Sequence, residues 1–358
     1  MKPFRLVEQI GEGASGAIFV GEFGQLRRPA AFKILHPHLV GESAARRMMA
    51  EARALSLLDH PGIVKVFDVD MMQGRVCIVM ERLVGEPLSQ RLARERLSEE
   101  RVVLYARQLA SALEAAHAVG IVHRDLKPEN VFVVPDPDVP FGERVKIIDF
   151  GIAKCAEADE DVRTATGIVL GTPTYMAPEQ WDQVVDPRAD IYSLGVMIYV
   201  MATGELPFSG TTDELLAEHA YCAPPRAVDI GGVSSWLSSI IERCLAKRPS
   251  ERFPTMAALA TALRELEQAI ASPTRPTPRY AADDSQDEVT RAERRARAVK
   301  VRTTAQTLVQ TGRRAKLRPI TRKSGPPVDR LPRWPVALAF AVLAAVCVNR
   351  LAACGLAS

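Results

Sequence analysis

This 358-residue sequence has no two cysteines close together. Its cysteines are scattered, without a C-x-x-C pair or a histidine cluster at metal-ligand spacing. We therefore expect a reducing compartment and no structural zinc. The six cysteines are Cys77, Cys155, Cys222, Cys244, Cys347 and Cys354. No internal repeat with a period of about 20–50 residues is visible, so a repeat architecture is not expected.

A secretory signal is also missing, because residues 1–10, MKPFRLVEQI, contain neither an apolar stretch nor a small-residue cleavage site. Nothing in that segment directs residues 1–272 out of the cytoplasm. The net charge of +3 is small but unevenly distributed. Residues 1–272 hold 29 Lys and Arg against 37 Asp and Glu, a net charge of −8, whereas residues 273–358 hold 17 against 6, a net charge of +11. The two parts are expected to face different partners.

The basic part is poor in aromatic residues and rich in Arg and Pro, so it cannot bury enough apolar surface to offset chain entropy. We expect residues 269–334 to form a disordered basic linker, with at most a short helix near 288–300. Nucleic acid is not an expected partner, because no aromatic stacking residues are interleaved with the basic ones.

An unbroken apolar run of transmembrane length is lacking. Residues 336–348, VALAFAVLAAVCV, give 13 apolar positions, short of the roughly 18–20 that a spanning helix needs. Including LAACGLA reaches that length but adds Asn349 and Arg350, which makes insertion marginal. Two interpretations stay open: residues 335–357 anchor the chain in the inner membrane, with Trp334 at the interface, or they form a soluble or surface-lying tail. The basic residues before this stretch would attract anionic lipid.

The rest of the chain has a globular composition, with 47% apolar and 25% charged residues overall. From residue 4 to about 83, short β-branched runs alternate with turn residues and enclose one helical stretch, SAARRMMAEARALSLL. From about 88 to 268 the apolar period is helical, with Gly- and Pro-rich connections. The pattern predicts an α+β fold in which a small β-rich lobe with one helix precedes a larger helical lobe.

A glycine-rich turn lies between the first two predicted strands. In GEGASGAIFV, Gly11, Gly13 and Gly16 follow the spacing G-x-G-x-x-G, which lets backbone N–H groups approach phosphates. A dinucleotide-binding fold would need a helix after the turn, but AIFVGEF predicts a strand. Taken alone, the motif also fits a glycine hairpin without a ligand.

A lysine interrupts the next apolar strand, AAFKIL. Burying the unpaired charge of Lys33 would be costly, so the strand predicts an anionic partner. Glu51 on the following helix is the candidate, and the pair could hold Lys33 against nucleotide phosphates. The alternative is an ordinary strand lysine that extends to water.

The segment IVHRDLKPEN concentrates polar groups that packing alone does not require. Phosphoryl transfer requires them: Asp125 can accept the proton of an attacking hydroxyl, Lys127 supplies a cation, and Asn130 offers a neutral oxygen ligand for Mg²⁺. The apolar strand of VKIIDFG then leads to Asp149, a second hard oxygen ligand. The combination indicates a phosphotransferase.

The sequence resembles the eukaryotic-like, bacterial-type Ser/Thr protein kinase family over residues 4–268. The resemblance is carried, in family order, by GEGASGAI, Lys33, Glu51, HRDLKPEN, DFG, GTPTYMAPE and ADIYSLG. It implies a two-lobed protein kinase fold, with an N-lobe at about 4–83 and a C-lobe at about 84–268. It also implies transfer of the ATP γ-phosphate to Ser or Thr hydroxyls of proteins.

The resemblance assigns the nucleotide site position by position. The three glycines would cover the phosphates, Lys33 would bind the α- and β-phosphates beside Glu51, and Asp149 and Asn130 would hold Mg²⁺ or Mn²⁺. Asp125 would orient and deprotonate the acceptor, with Lys127 beside it. The adenine would be enclosed by Ile10, Ile18, Ala31 and Phe132, with Met80 as gatekeeper and the backbone of Glu81 to Leu83 as hinge.

Lys127 and Thr172 match the family pattern for Ser/Thr acceptors. Arg124 resembles the arginine of kinases whose activation segment is ordered by phosphorylation, since a guanidinium binds phosphate bidentately. Thr164 and Thr166 are the implied autophosphorylation sites. The alternative for these two threonines is ordinary loop polarity.

Several matched residues are expected to be structural. Glu179 and Arg252 resemble the buried ion pair of the family, and Asp190 resembles the residue that braces the catalytic loop. For His60 we expect a packing role. The sequence departs from the family at Arg248, where many relatives carry Asp, and in PDPDVPFGER, which lengthens the hairpin before DFG.

Two other functions are compatible with the same fold. A pseudokinase or scaffold would present a kinase-shaped surface without transferring phosphate, but Lys33, Asp125, Asn130 and Asp149 are all present. A small-molecule kinase is disfavoured because GTPTYMAPE and the helices after it resemble protein-substrate machinery.

Overall fold

A computed structural model of the chain describes residues 3–13, 16–36, 42–150, 173–182, 186–230 and 232–272, apart from the side chains of residues 42–47 and 182. Residues 1–272 form one compact unit. Within it a β-rich lobe precedes a helical lobe, as the alternation of apolar periods predicts.

Five antiparallel strands form the sheet of the smaller lobe. They are β1 (Phe4–Gly13), β2 (Gly16–Phe23), β3 (Arg28–Leu35), β4 (Val66–Met72) and β5 (Arg75–Glu81). Their order across the sheet is β1-β2-β3-β5-β4. Helix α1 (Glu42–Ser56) comes between β3 and β4 and packs against β4. This is the predicted sheet with one helix.

Strand β3 is buried on both faces, which accounts for its apolar run. Phe32 packs with Phe23 in a small cluster on one face. Leu35 packs on the other face into the main core, which includes Met48 of α1. Because alternate side chains of a strand share a face, Lys33 lies on the same face as Leu35. The lysine is thereby directed into the molecule.

The larger lobe contains six helices among the described residues. They are α2 (Leu88–Arg94), α3 (Glu99–Ala118), α4 (Arg188–Thr203), α5 (Thr212–Tyr221), α6 (Ser235–Cys244) and α7 (Met256–Ala271). Their boundaries follow capping chemistry in the sequence. The Ser98 side chain accepts from the Arg101 N–H at the start of α3, Thr211 and Glu214 form a capping box on α5, and α4 ends at Gly204 with φ 74°.

Helix α4 forms the centre of this lobe. All of its residues except Arg188 and Val200 are buried, as expected for a helix that is apolar on every side. Helix α3 packs against α4 and α7. The acidic residue Asp190 in the first turn of α4 therefore enters a closed interior.

A second sheet belongs to the larger lobe. It consists of β6 (Glu86–Pro87), β7 (Val131–Pro135) and β8 (Glu143–Ile147), in that order. The Val64 N–H donates to the Ile147 carbonyl at 2.9 Å, and the Ile147 N–H donates to the Gly62 carbonyl at 2.9 Å. Strand β8 is thereby attached to the segment that leads into β4.

Among the residues that the structure describes, no helix combines the length and apolarity needed to cross a membrane. Helix α7 continues to Ala271, beyond the boundary at 268 that the sequence predicts. The expected linker beyond residue 272 and the candidate anchor at 335–357 lie outside the described residues, and they stay predictions.

Candidate active site

The glycine-rich turn joins β1 and β2 next to the strand that carries Lys33. Gly11 pairs with Ile18, and Gly13 pairs with Gly16. A Cβ added at Gly16 would lie 2.2 Å from the carbonyl oxygen of Ile34, and the residue has φ 153°. Glycine at this position therefore lets β2 approach β3 closely. A Cβ at Gly13 would meet nothing within 4 Å.

Lys33 is buried and contacts a carboxylate. The residue is 8% exposed, and its Nζ lies 2.5 Å from Oδ2 of Asp149. A buried ammonium with an anionic partner is what the cost of burying charge requires. The partner seen here is Asp149 rather than the expected Glu51, which lies on α1. The Lys33–Glu51 pairing stays a prediction, whereas exposure of Lys33 to water does not occur.

Met80 and Glu81 end strand β5 opposite β3, where Ala31 pairs with Met80. Glu81 is fixed through its backbone and its side chain. Its N–H donates to the Lys65 carbonyl at 2.9 Å. Its Oε1 accepts from the Lys65 N–H at 2.9 Å and from Lys146 Nζ at 2.6 Å. Hydrogen bonds from Lys65 and Lys146 therefore fix the position of Glu81, the first residue of the expected hinge. No sequence motif indicated that Lys146 makes this contact.

The residues expected around adenine come from both lobes. Ile18 pairs with Lys33 in the upper sheet, and Phe132 pairs with Pro87 and Lys146 in the lower one. Ile10 is 57% exposed, so its side chain has apolar surface that a ligand can cover. Leu83 follows β5 in the connection to β6.

The catalytic loop is organised around Asp125. Lys127 Nζ lies 2.9 Å from its Oδ2. Asn130 donates from Nδ2 to the backbone oxygen of Asp125 at 2.8 Å and to its Oδ2 at 3.3 Å. The carboxylate expected to accept a proton is thus within hydrogen-bonding reach of both the cation and the amide.

The two expected metal ligands, Asn130 and Asp149, are connected through a backbone hydrogen bond. The Ile148 N–H donates to the Asn130 carbonyl at 3.0 Å, which holds the residue before Asp149 against the catalytic loop. An amide oxygen and a carboxylate are hard donors suited to Mg²⁺, and the contact of Asp149 with Lys33 shows that this carboxylate faces positive charge. The residues present therefore fit a divalent cation.

Asp190 of α4 is hydrogen-bonded to the backbone of the catalytic loop. Its side chain is fully buried. It accepts from the backbone N–H groups of His123 at 2.8 Å and Arg124 at 2.9 Å, and His117 Nε2 lies 2.8 Å from its Oδ2. Arg124 has φ 63°, a costly backbone geometry that these bonds hold in place. His117 belongs to α3, and its distance in sequence hid it from motif analysis.

The segment 173–182 connects the catalytic loop to the C-lobe core. Glu179 forms a bidentate ion pair with Arg252 at 2.5 and 2.8 Å. The Arg252 side chain is 0% exposed and also donates to three backbone carbonyls. Gln180 Nε2 donates to the Arg124 carbonyl at 2.9 Å. The pair is buried, as the resemblance implies, and Gln180 is a link that the sequence did not indicate.

His60 packs in the connection between α1 and β4. Its Nδ1 accepts from the Gly62 N–H at 3.0 Å, and its Nε2 lies 3.1 Å from Ser111 Oγ. Burial, aided by Arg144, lowers the pKa of His60 below its usual value. These contacts are those of the expected packing residue.

The three threonines that the resemblance singles out, Thr164, Thr166 and Thr172, lie outside the described residues. Their roles stay predictions.

Most of this chain is similar in sequence to known proteins. The sequence matches the family described as "Protein kinase domain" over residues 4–263. It is 44% identical over 266 residues to the serine/threonine-protein kinase Pkn1 of Myxococcus xanthus, covering 73% of this chain and 38% of that protein. It is 33% identical over 270 residues to the serine/threonine-protein kinase PknL of Mycobacterium tuberculosis, covering 74% of this chain and 66% of that protein.

Solved structures show the same fold. The Mycobacterium tuberculosis PknI kinase domain superposes with a TM-score of 0.58 at 26% identity, covering 73% of this chain and 94% of that one. A structure of Rad53 residues 1–466 in complex with AMP-PNP gives a TM-score of 0.60 at 27% identity, covering 72% of this chain and 64% of that one. The predicted two-lobed fold is thereby confirmed.

The chain spans 32% to 50% of the length of the three Myxococcus xanthus relatives that it matches. The family match covers residues 4–263, and the solved kinase domains share the fold. The chain therefore belongs to the protein kinase family.

Proposed function

We propose that the chain is a Ser/Thr protein kinase that transfers the γ-phosphate of ATP to Ser and Thr hydroxyls of proteins, itself included. The observation that carries the proposal is the convergence of Asp125, Lys127 and Asn130 in one hydrogen-bonded group. The backbone bond between Ile148 and Asn130 holds this group beside Asp149. A scaffold without catalysis would not need these charges in contact.

Asp125 receives the proton of the acceptor hydroxyl in this proposal. As the hydroxyl oxygen bonds to the γ-phosphorus, the bond from that phosphorus to the β–γ bridging oxygen breaks, and ADP leaves with the electron pair. Lys127 faces the same carboxylate and stabilises negative charge on the transferred group. Asn130 keeps Asp125 in position.

Lys33 and the glycine-rich turn orient the triphosphate. Lys33 approaches from β3 and supplies a buried positive charge for the α- and β-phosphates, with Glu51 as the proposed second partner. Asn130 and Asp149 would hold Mg²⁺, or Mn²⁺, which when bound neutralises phosphate charge. The adenine lies between Ile10, Ile18 and Ala31 above and Phe132 below, with Met80 behind it and the backbone from Glu81 to Leu83 along its edge. Because little covalent chemistry falls to the protein, positioning and charge set the rate.

Thr172 and Lys127 direct the reaction to Ser and Thr acceptors in this proposal. Phosphate on Thr164 or Thr166 would pair with the Arg124 guanidinium and order the activation segment. Mass spectrometry of active protein that found both threonines unmodified would remove this regulatory step.

The test uses the purified full chain with γ-labelled ATP, magnesium and a generic protein acceptor, followed by phosphosite mapping. Asp125→Asn should lower kcat by roughly 10²–10⁴-fold, because the proton acceptor is lost. Asp149→Ala should abolish labelling, whereas Asp138→Asn, at an exposed aspartate of the β7–β8 hairpin, should match the wild type. Equal labelling by wild type and Asp149→Ala, or nucleotide binding without transfer, would refute the proposal.

The apolar stretch at 335–357 and the basic linker before it support a second, separate proposal: attachment to an anionic inner membrane, with the kinase domain in the cytoplasm. Alkaline carbonate extraction of membranes should leave the intact chain in the pellet. Release of the intact chain into the supernatant would contradict the anchor.

A further inference from the structure

Lys247 of the C-lobe makes several contacts that have no part in the proposed phosphate transfer. Lys247 follows α6, and its Nζ donates to the carbonyl oxygens of His219 at 2.8 Å and Glu218 at 3.2 Å. Both carbonyls belong to the last turn of α5, and the Glu218 carbonyl also accepts from the Cys222 N–H at 3.0 Å. A cation at this end also complements the helix dipole. Lys247 therefore fastens the end of α5 to the segment after α6.

Aromatic rings enclose the same ammonium. The Nζ atom lies 4.5 Å from the ring centroid of Phe208 and 5.9 Å from that of Tyr192, distances at which a cation is attracted to the face of a ring. Arg252 contacts the Tyr192 ring as well, at 4.8 Å. The Tyr192 ring thus has contacts with Lys247 and with the arginine that binds Glu179.

Helix α5 contacts both Tyr192 and the segment that precedes Glu179. His219 lies in α5, is 1% exposed, and its Nδ1 is 2.9 Å from the Tyr192 hydroxyl. The helix packs against the 3-10 turn Pro173–Tyr175. Ser193 Oγ of α4 donates to the Tyr175 carbonyl at 2.8 Å. The turn is therefore supported by α5 on one side and by α4 on the other.

The Pro173–Tyr175 turn belongs to a segment that is hydrogen-bonded to the catalytic loop. Gln180, five residues after Tyr175, donates to the carbonyl of Arg124, the residue before Asp125. A shift of α5 would move the surface over which a polypeptide acceptor must lie to reach Asp125. The nucleotide residues of β1, β2 and β3 belong to the other lobe and do not depend on α5.

We propose that Lys247 is a positioning residue for the protein substrate, whose ammonium holds α5 against the Pro173–Tyr175 turn. The inference rests on the proposed kinase function and adds a determinant of acceptor binding that is separate from the nucleotide site. It assigns Lys247 no contact with the reacting atoms.

The charge of Lys247 changes near neutral pH. Burial is the main cause that lowers the pKa of Lys247 to about 8; Arg252 acts in the same direction, and Cys222 and Glu218 oppose the shift. His219 stays neutral in this range because burial lowers its pKa to about 4, and Tyr192 stays neutral because burial raises its pKa. Above about pH 8 the ammonium is lost, so its hold on α5 weakens.

The experiment measures KM for a protein acceptor and for ATP with the full chain between pH 7 and 9. At pH 7, Lys247→Met should raise the acceptor KM by about tenfold, the order expected for one lost charge-assisted hydrogen bond, and leave the ATP KM within about twofold. In the wild type the acceptor KM should rise with a midpoint near pH 8. Lys247→Arg keeps its charge and should give a low, flat acceptor KM.

The matched control is Arg248→Met, which removes the neighbouring cation, whose side chain is 82% exposed. It should leave both KM values unchanged. Thermal unfolding of each variant checks that it is folded, and Met fits the enclosure without a buried charge. An unchanged acceptor KM in Lys247→Met, or an Arg variant that behaves like Met, would overturn the inference while leaving the kinase activity standing. A wild type that labels no acceptor would overturn both.

Discussion

The charged side chain of Arg252 has no exposure to solvent, and Glu179 is its ion-pair partner. Glu179→Ala would leave the guanidinium buried without its counterion, so we expect the free energy of unfolding to fall by about 3–5 kcal/mol. Urea denaturation of the purified chain measures this loss. Arg226→Ala removes an ion pair whose partners are 62% and 42% exposed, and it should change stability by less than about 1 kcal/mol. Similar losses in the two variants would contradict the assignment of Glu179 and Arg252 as a buried pair.

His219 should make stability depend on pH. Burial lowers its pKa from 6.5 to about 4 in the folded chain. Between these values the unfolded chain binds the proton and the folded chain does not, so stability is full above pH 6.5 and falls as the pH drops toward 4. The loss from this group should reach about 3 kcal/mol.

The measurement for His219 is urea denaturation of the wild type and of His219→Asn from pH 7 to pH 4. Asn keeps a polar atom for Tyr192 but does not titrate, so the difference in stability between the two proteins should shrink as the pH falls. A difference that is constant over this range would show that His219 titrates normally.

At the scale of elements, the contact between α4 and α6 depends on Gly195. A Cβ added there would lie 2.5 Å from the Cβ of Cys244, so Gly195→Ala must separate the two helices or distort them. We expect a loss of about 1–3 kcal/mol in the free energy of unfolding. Gly13→Ala, where an added Cβ meets nothing within 4 Å, is the matched control for stability. If Gly195→Ala were as stable as the wild type, α4 and α6 would be less tightly packed than this distance indicates.

The sequence predicts the elements better than it predicts their contacts. Apolar period and turn residues indicate the strands and the long helices, because those signals are local. The pairing of β3 with β5 across α1 is not local, and no residue pattern in either strand specifies it. Helix α4 shows no polar face to predict its neighbours, since it is buried on nearly all sides.

The same limit applies to the site. Lys33, Asp125, Asn130 and Asp149 could be named because each stands in a compact motif. Their supports could not, because each support comes from a distant part of the chain: Lys146 holds Glu81, His117 contacts Asp190, and Lys247 holds α5. Such contacts appear only when the fold brings the elements together.

For the whole molecule, the central claim is that two lobes enclose one magnesium-bound triphosphate. Lys33 comes from the smaller lobe and Asp149 from the segment after β8 in the larger one, and their side chains meet at 2.5 Å. Residues 1–272 carry a net charge of −8 and residues 273–358 a net charge of +11, so the two parts of the chain differ in the sign of their charge.

The most direct measurement is a calorimetric titration of the full chain with ATP, with and without magnesium. The account predicts saturable binding below about 1 mM, strengthened by magnesium, and at least about tenfold weaker in Asp149→Ala because a metal ligand is lost. Asp138→Asn should bind as the wild type does. Folded wild-type chain that shows no magnesium-dependent binding at millimolar ATP would contradict the account.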